Sequence, residues 1–169
     1  KTRDRVLPLP DHGSRLRAGP HTGTVEAITP MKSFSILGTG SYLPVGTVLS
    51  SELDEELGFP TGTVEAKSGV FSRRRVDTSD TTSSMAAAAA EAALAEAGLG
   101  VRDLDLIISA SGTVERAIPC SAVLVQKRLG LSGSSIPCFD VNSTCLSFLT
   151  ALDVAAAFIA TGAYRTVLI

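Results

Sequence analysis

The sequence predicts an α/β fold of stacked layers, on three observations. Short apolar runs at 104–108, 136–141 and 166–169 alternate with helix-like segments, the pattern of strands joined by crossover helices. Side chains are small, with aromatics at 5% and no Trp, so layers can approach closely. The segment from Thr144 to Ala160 is apolar on every side of a helical wheel, and such a helix has no solvent face and must be covered all round.

The 169 residues correspond to about one domain by length. Residues 1–31 read as a disordered leader, with Pro8, Pro10, Pro20 and Pro30, scattered Arg and no apolar run for a signal peptide or membrane span. Met31 stands where a natural start would suit, and 32–169 reads as the folded domain. There, Phe34 to Leu37 alternates and runs into Gly38-Thr39-Gly40, a strand entering a tight turn. Ser50 or Ser51 caps a short helix through Leu57, with Glu52, Asp54 and Glu55 near its start. Residues 58–69 read as loop, and Arg73-Arg74-Arg75-Val76 as an exposed edge. Thr81 or Thr82 caps a long Ala-rich helix that Gly98 stops. Leu104–Ile108 is a buried strand, Pro119 opens a helix that Gly130 closes, and Ile136–Val141 is the next strand. The helix from Thr144 follows, and Thr166–Ile169 begins another strand. The uncovered helix and the unfinished strand lead us to expect half of a larger body.

Charge is nearly balanced, 15 basic against 17 acidic side chains, which argues against nucleic acid or an anionic membrane as partner. Three cysteines make no disulfide framework. Cys120, Cys138 and Cys145 form no C-x-x-C pair, and both histidines, His12 and His21, lie in the leader, so no metal site is expected. Gly38-Thr39-Gly40 fails as a dinucleotide fingerprint, because its third glycine position holds Leu43 and no helix opens there.

Cys145 is the cysteine with chemical promise. It follows the strand at the start of the apolar helix, where the macrodipole favours a thiolate and free backbone N–H groups can hold an oxyanion. Inert packing is the competing reading, since cysteine is among the most buried residues. Cys138 and Cys120 read as packing.

Several segments resemble the N-terminal half of β-ketoacyl-[acyl-carrier-protein] synthase III enzymes, in the thiolase-fold condensing superfamily. Ile36 to Pro44 is similar to that family's opening strand and turn. Ser68-Gly69-Val70 with Arg73–Arg75 resembles its Thr-Gly-Ile-x-x-Arg region. Pro119 to Gly130, with Gln126, resembles its Pro-Ser-x-x-x-x-x-Gln-x-x-Leu-Gly helix. Phe139-Asp140-Val141 leading to Cys145 is similar to its nucleophile segment. The resemblance runs in order over about 34–169.

It implies a thiolase-like layered α/β/α fold, N-terminal half only, with Cys145 as the acyl-accepting nucleophile. It places Lys67 where a basic residue meets coenzyme A phosphates. It places Ile118 where a residue reaches across a dimer interface into the partner's acyl tunnel. The implied reaction moves an acyl group from acyl-CoA to the cysteine, then condenses it with a malonyl unit on acyl carrier protein. The implied setting is a cytoplasmic homodimer initiating fatty-acid or polyketide synthesis, with no metal or redox cofactor and acyl-CoA as substrate.

Departures accompany the match. Cys145-Leu146-Ser147-Phe148 stands for the family's Cys-Ala-Gly-Phe, which puts an acetyl starter in doubt. Thr63 stands where a tryptophan stacks on adenine. Relatives that join two acyl chains head to head carry a glutamate base near Ile118, whereas here Glu115 is three residues away. The Arg73–Arg75 cluster with Lys67 could meet phosphates or an acidic carrier, or form a solvated rim. The histidine and asparagine of the family's C-terminal half have no counterpart here. The alternatives are a non-catalytic truncated fragment or subunit needing a second chain, and a related CoA-dependent condensing enzyme. We also expect the chain to self-associate through uncovered apolar surface.

Overall fold

The computed structural model describes residues 34–169, so the expected leader at 1–31 and the proposed start at Met31 lie outside the described residues. At the centre is β3 (Leu106–Ala110), flanked by β4 (Cys138–Val141) and β5 (Val167–Leu168), all parallel. Successive side chains of a strand face opposite ways. Ile107 therefore packs into a cluster with Ala87, Ala90 and Leu94 of α3 (Thr82–Ala97) and Ala122 and Val125 of α4 (Ser121–Arg128). Leu106 and Ile108 pack the other way, onto Ala151 and Ala155 of α5 (Ser147–Thr161). Two helices, a sheet and a third helix make the layered α/β/α arrangement that the sequence predicts.

Before this body in the chain come β1 (Gly46–Leu49), α1 (Ser50–Leu57), α2 (Thr63–Ser68) and β2 (Ser72–Arg75), with β1 and β2 antiparallel. The edge expected at Arg73–Arg75 is this second strand. Residues 58–69 are not wholly loop, because α2 occupies part of them. Its signal is tertiary: Asp54, buried in α1, accepts the N–H of Gly62 at 2.7 Å and of Val64 at 2.9 Å. A carboxylate on an early N–H group caps a helix that its own sequence leaves uncapped.

Other boundaries move as well. The N-cap of α1 is Leu49, with Glu52 accepting the Leu49 N–H at 2.6 Å. Ser50 lies inside the helix, buried, and its hydroxyl donates to the Val70 carbonyl. Thr81 caps α3 as expected, accepting from the Ser84 N–H at 3.2 Å, and Gly98 ends it at φ 66°. Pro119 precedes α4, whose N-cap is Cys120. The strand expected at Leu104–Ile108 begins two residues later, at Leu106.

The strand expected at Phe34–Leu37 does not form, and Gly38-Thr39-Gly40 is no turn. The segment joins neither sheet and lies along α3. A Cβ on Gly38 would collide with the Ala93 carbonyl oxygen, and one on Gly40 with that of Ala89. Both N–H and hydroxyl of Thr39 donate to Glu96 of the same helix. Glycine and alanine face each other here so that two backbones can touch.

The apolar helix divides: a 3₁₀ turn at Thr144–Leu146 leads into α5. The 18 residues Thr144–Thr161 are long and apolar enough to cross a membrane by length and composition. Here one face of them covers the sheet, while Phe148 and Leu149 on another stay exposed.

Candidate active site

Parallel sheets present their functional surface beyond the carboxyl ends of the strands. Beyond β4 the chain reads Asn142-Ser143-Thr144-Cys145. Asn142 Oδ1 accepts the Thr144 N–H at 3.1 Å, the local closure that favours Asn in turns. Ser147 grips the same turn from α5: its hydroxyl accepts from the Ser143 N–H at 3.0 Å and donates to the Thr144 carbonyl at 2.7 Å. Ser147 is buried whereas Cys145 is exposed.

Thr144 has φ 52°, and among the described residues no other non-glycine has positive φ. That region costs an L-residue roughly 1–2 kcal/mol, more unfavourable for a β-branched side chain. Such strain persists only where surrounding bonds over-determine it, and Asn142 and Ser147 supply those bonds. The result is a thiol held out to solvent on a fixed strand-to-helix turn.

The end of β3 closes the other side. Ser111 N–H donates to the Val141 carbonyl at 3.2 Å. Gly112 lies beside the turn: a Cβ there would stand 3.4 Å from Thr144 Cα, an ordinary van der Waals contact. The loop then carries Ile118, 88% exposed, toward α4. Asp140 ties the far end, accepting the N–H of Ser121 and of Ala122 at 2.8 Å each.

Lys67 belongs to another part of the molecule, on α2, which packs on α1, and its ammonium lies 5.9 Å from the Phe59 ring centroid. The arginine cluster is engaged internally. Arg73 donates to Ser50 and Ser68, Arg74 to the carbonyls of Pro44 and Val45, and Arg75 pairs with Glu56 at 2.9 Å. Cys138 and Cys120 sit half-buried against the α3–α4 core. Burial pushes the Cys138 thiol up, the direction of an inert, packed cysteine.

The profile of the family "3-Oxoacyl-[acyl-carrier-protein (ACP)] synthase III" matches residues 139–169, the stretch that contains this turn. A β-ketoacyl-[acyl-carrier-protein] synthase III of Neisseria gonorrhoeae is 37% identical over 139 residues, 82% of this chain and 43% of that protein. Over four fifths of its length the chain matches part of the synthase III condensing enzymes.

Another synthase III, from Rhodospirillum rubrum, is 38% identical over 134 residues, covering 79% of this chain and 41% of its own length. Among solved structures, the synthase III of Aquifex aeolicus superposes with a TM-score of 0.70 at 34% identity, over 78% of this chain and 42% of that one. The H285A variant of Xanthomonas campestris OleA also gives 0.70, at 30% identity, over 77% of this chain and 40% of its own. These condensing enzymes share the layered thiolase fold. This synthase III-like chain spans about two fifths of the length of the relatives it matches.

Sequence reasoning found the cysteine of this turn but missed the residues that build it. Asn142 and Ser147 carried a recognisable signal, since Asn and Ser beside a strand end favour side-chain-closed turns. The positive φ of Thr144 carried none, because a β-branched residue type gives no sign of it.

Proposed function

We propose that the whole protein is a 3-oxoacyl-[acyl-carrier-protein] synthase III-like acyltransferase with Cys145 as its acyl-accepting nucleophile. The observation that carries this reading is the exposed Cys145 beside the strained Thr144, on a turn locked by Asn142 and Ser147. The Cys145 thiolate attacks the carbonyl of an acyl-CoA thioester, and the oxyanion falls to the Cys145 N–H, since those of Ser143, Thr144, Leu146 and Ser147 are spent within the turn. The C–S bond to coenzyme A breaks, coenzyme A leaves as a thiol after taking up a proton, and an acyl-cysteine thioester remains. In the second half-reaction, malonyl-carrier protein loses CO₂ and its carbanion attacks the acyl-enzyme carbonyl. The Cys145 thiolate is expelled, giving a 3-oxoacyl thioester on the carrier.

Residues that would drive the decarboxylation lie elsewhere in this reading, since the two histidines of the chain are His12 and His21. Lys67, on the surface of α2, is the side chain we assign to coenzyme A phosphates. Ile118 is the one we assign to the acyl tunnel of a homodimer partner. An apolar Ile118, with Glu115 turned into the protein, supports a carrier-linked condensation over a head-to-head joining of two acyl chains. The setting we propose is cytoplasmic. The test is acyl transfer itself: incubation with acyl-CoA thioesters, read by intact mass, with Cys145→Ala as control.

A further inference from the structure

We propose that Glu115 is a positioning residue, anchoring the 111–119 loop and thereby fixing where Ile118 stands. The loop has no regular hydrogen-bonded structure, yet its side chains divide sharply. Val114 is 52% exposed and Ile118 88%, whereas the Glu115 side chain is only 16% exposed. Its carboxylate accepts the backbone N–H of Ser83 at 3.0 Å. Ser83 is the second residue of α3, and its N–H has no carbonyl partner within the helix, so Glu115 both caps α3 and is held by it.

The receiving end is itself fixed. Arg128 of α4 donates to the Ser83 hydroxyl at 2.7 Å and to Thr81 Oγ1 at 3.1 Å. The Ser83 bonds hold the Glu115 carboxyl below the usual carboxylate range, so the anchor is ionised at neutral pH. Arg116 adds little: its contact with Glu115 is 3.7 Å and solvent-exposed on its own side. The loop is thus tied to β4 at Ser111, to α3 at Glu115, and to β4 again through Asp140. Of these pins, Glu115 is the nearest before Ile118 in the chain. A consequence for which acyl chains are accepted rests on the acyl-transfer reading above.

The test is limited trypsin digestion of the full chain, comparing cleavage after Arg116 with cleavage after the exposed Arg102. Opening of an anchored loop limits its cleavage. Glu115→Ala is expected to raise the Arg116 to Arg102 ratio by about tenfold or more, the loss expected from one charge-assisted hydrogen bond. Glu115→Gln keeps an oxygen facing the Ser83 N–H and should stay within about threefold of the unaltered chain. A ratio unmoved in Glu115→Ala would overturn the proposal.

Amide exchange at Ser83 in the unaltered chain gives a second test that needs no variant to fold. Slow exchange supports the anchor, and exchange at the rate of a free amide overturns it. The same variants incubated with acyl-CoA thioesters of graded length link anchor to function. Glu115→Ala should flatten the chain-length preference of the Cys145 adduct, and Glu115→Gln should keep it. A preference unchanged while the loop is freed would contradict the positioning of Ile118. Absence of any adduct, the unaltered chain included, would contradict acyl transfer alone and leave digestion and exchange to decide the anchor.

Discussion

Asp140 accepts the Ser121 N–H at 2.8 Å, with the Ala122 N–H at the same distance on its second oxygen. The strand that leads to Cys145 therefore also caps the helix that follows Ile118. Asp140→Ala should lower stability by about 1–2 kcal/mol, the usual cost of an N-cap, read by urea denaturation. Asp140→Asn, which keeps one acceptor oxygen, should lose less. Equal losses would mean that the cap is not what Asp140 contributes.

The contact between Gly40 and α3 is predicted to be equally specific. Gly40→Ala drives a methyl into the Ala89 carbonyl, which should cost about 1–3 kcal/mol as the segment lifts from the helix. Thermal unfolding checks this. A Tm equal to that of the unaltered chain would show that the 34–40 segment does not rest on α3.

Much of the fold is legible in the sequence because its signals are local. Thr81 and Gly98 bracket α3 with side-chain and left-handed caps, and both are readable from residue type alone. The runs around Ile107 and Phe139 are strands because apolar residues there pack on both faces of the sheet. What was hidden depends on distant partners. α2 needs Asp54 from another helix, and the Gly38-Thr39-Gly40 motif looks like a turn until α3 lies beneath it. At the site, Cys145 stood out by its place after a strand. The positive φ at Thr144 shows only once Asn142 and Ser147 close the turn.

Asp105 supplies the pH dependence. It accepts the N–H of Arg165 at 2.9 Å and of Thr166 at 3.0 Å, and these bonds, Arg165 first, hold its carboxyl below its ordinary value of 3.8. The folded state thus prefers the carboxylate. Its contribution is fully present above the unfolded value and disappears as pH falls through the lowered folded one. Asp105→Asn should therefore be less stable than the unaltered chain at neutral pH, with the gap closing below pH 3.8. Denaturation across that range checks it; a gap independent of pH would contradict the assignment.

Apolar surface predicts association. Val45, Phe71, Leu146, Phe148 and Leu149 are exposed, and β4 and β5 each have a free edge among the described residues. Such features drive pairing between chains. Sedimentation velocity is expected to show concentration-dependent association, and a compact monomer at every concentration would contradict it.

The measurement that bears most directly on the central claim is intact-mass spectrometry after brief exposure to acyl-CoA thioesters. We predict one acyl adduct on the unaltered chain and none on Cys145→Ala, with Cys120 and Cys138 unmodified in both. An adduct that persists in Cys145→Ala, or none on the unaltered chain, would contradict the assignment of Cys145 as the nucleophile of this chain.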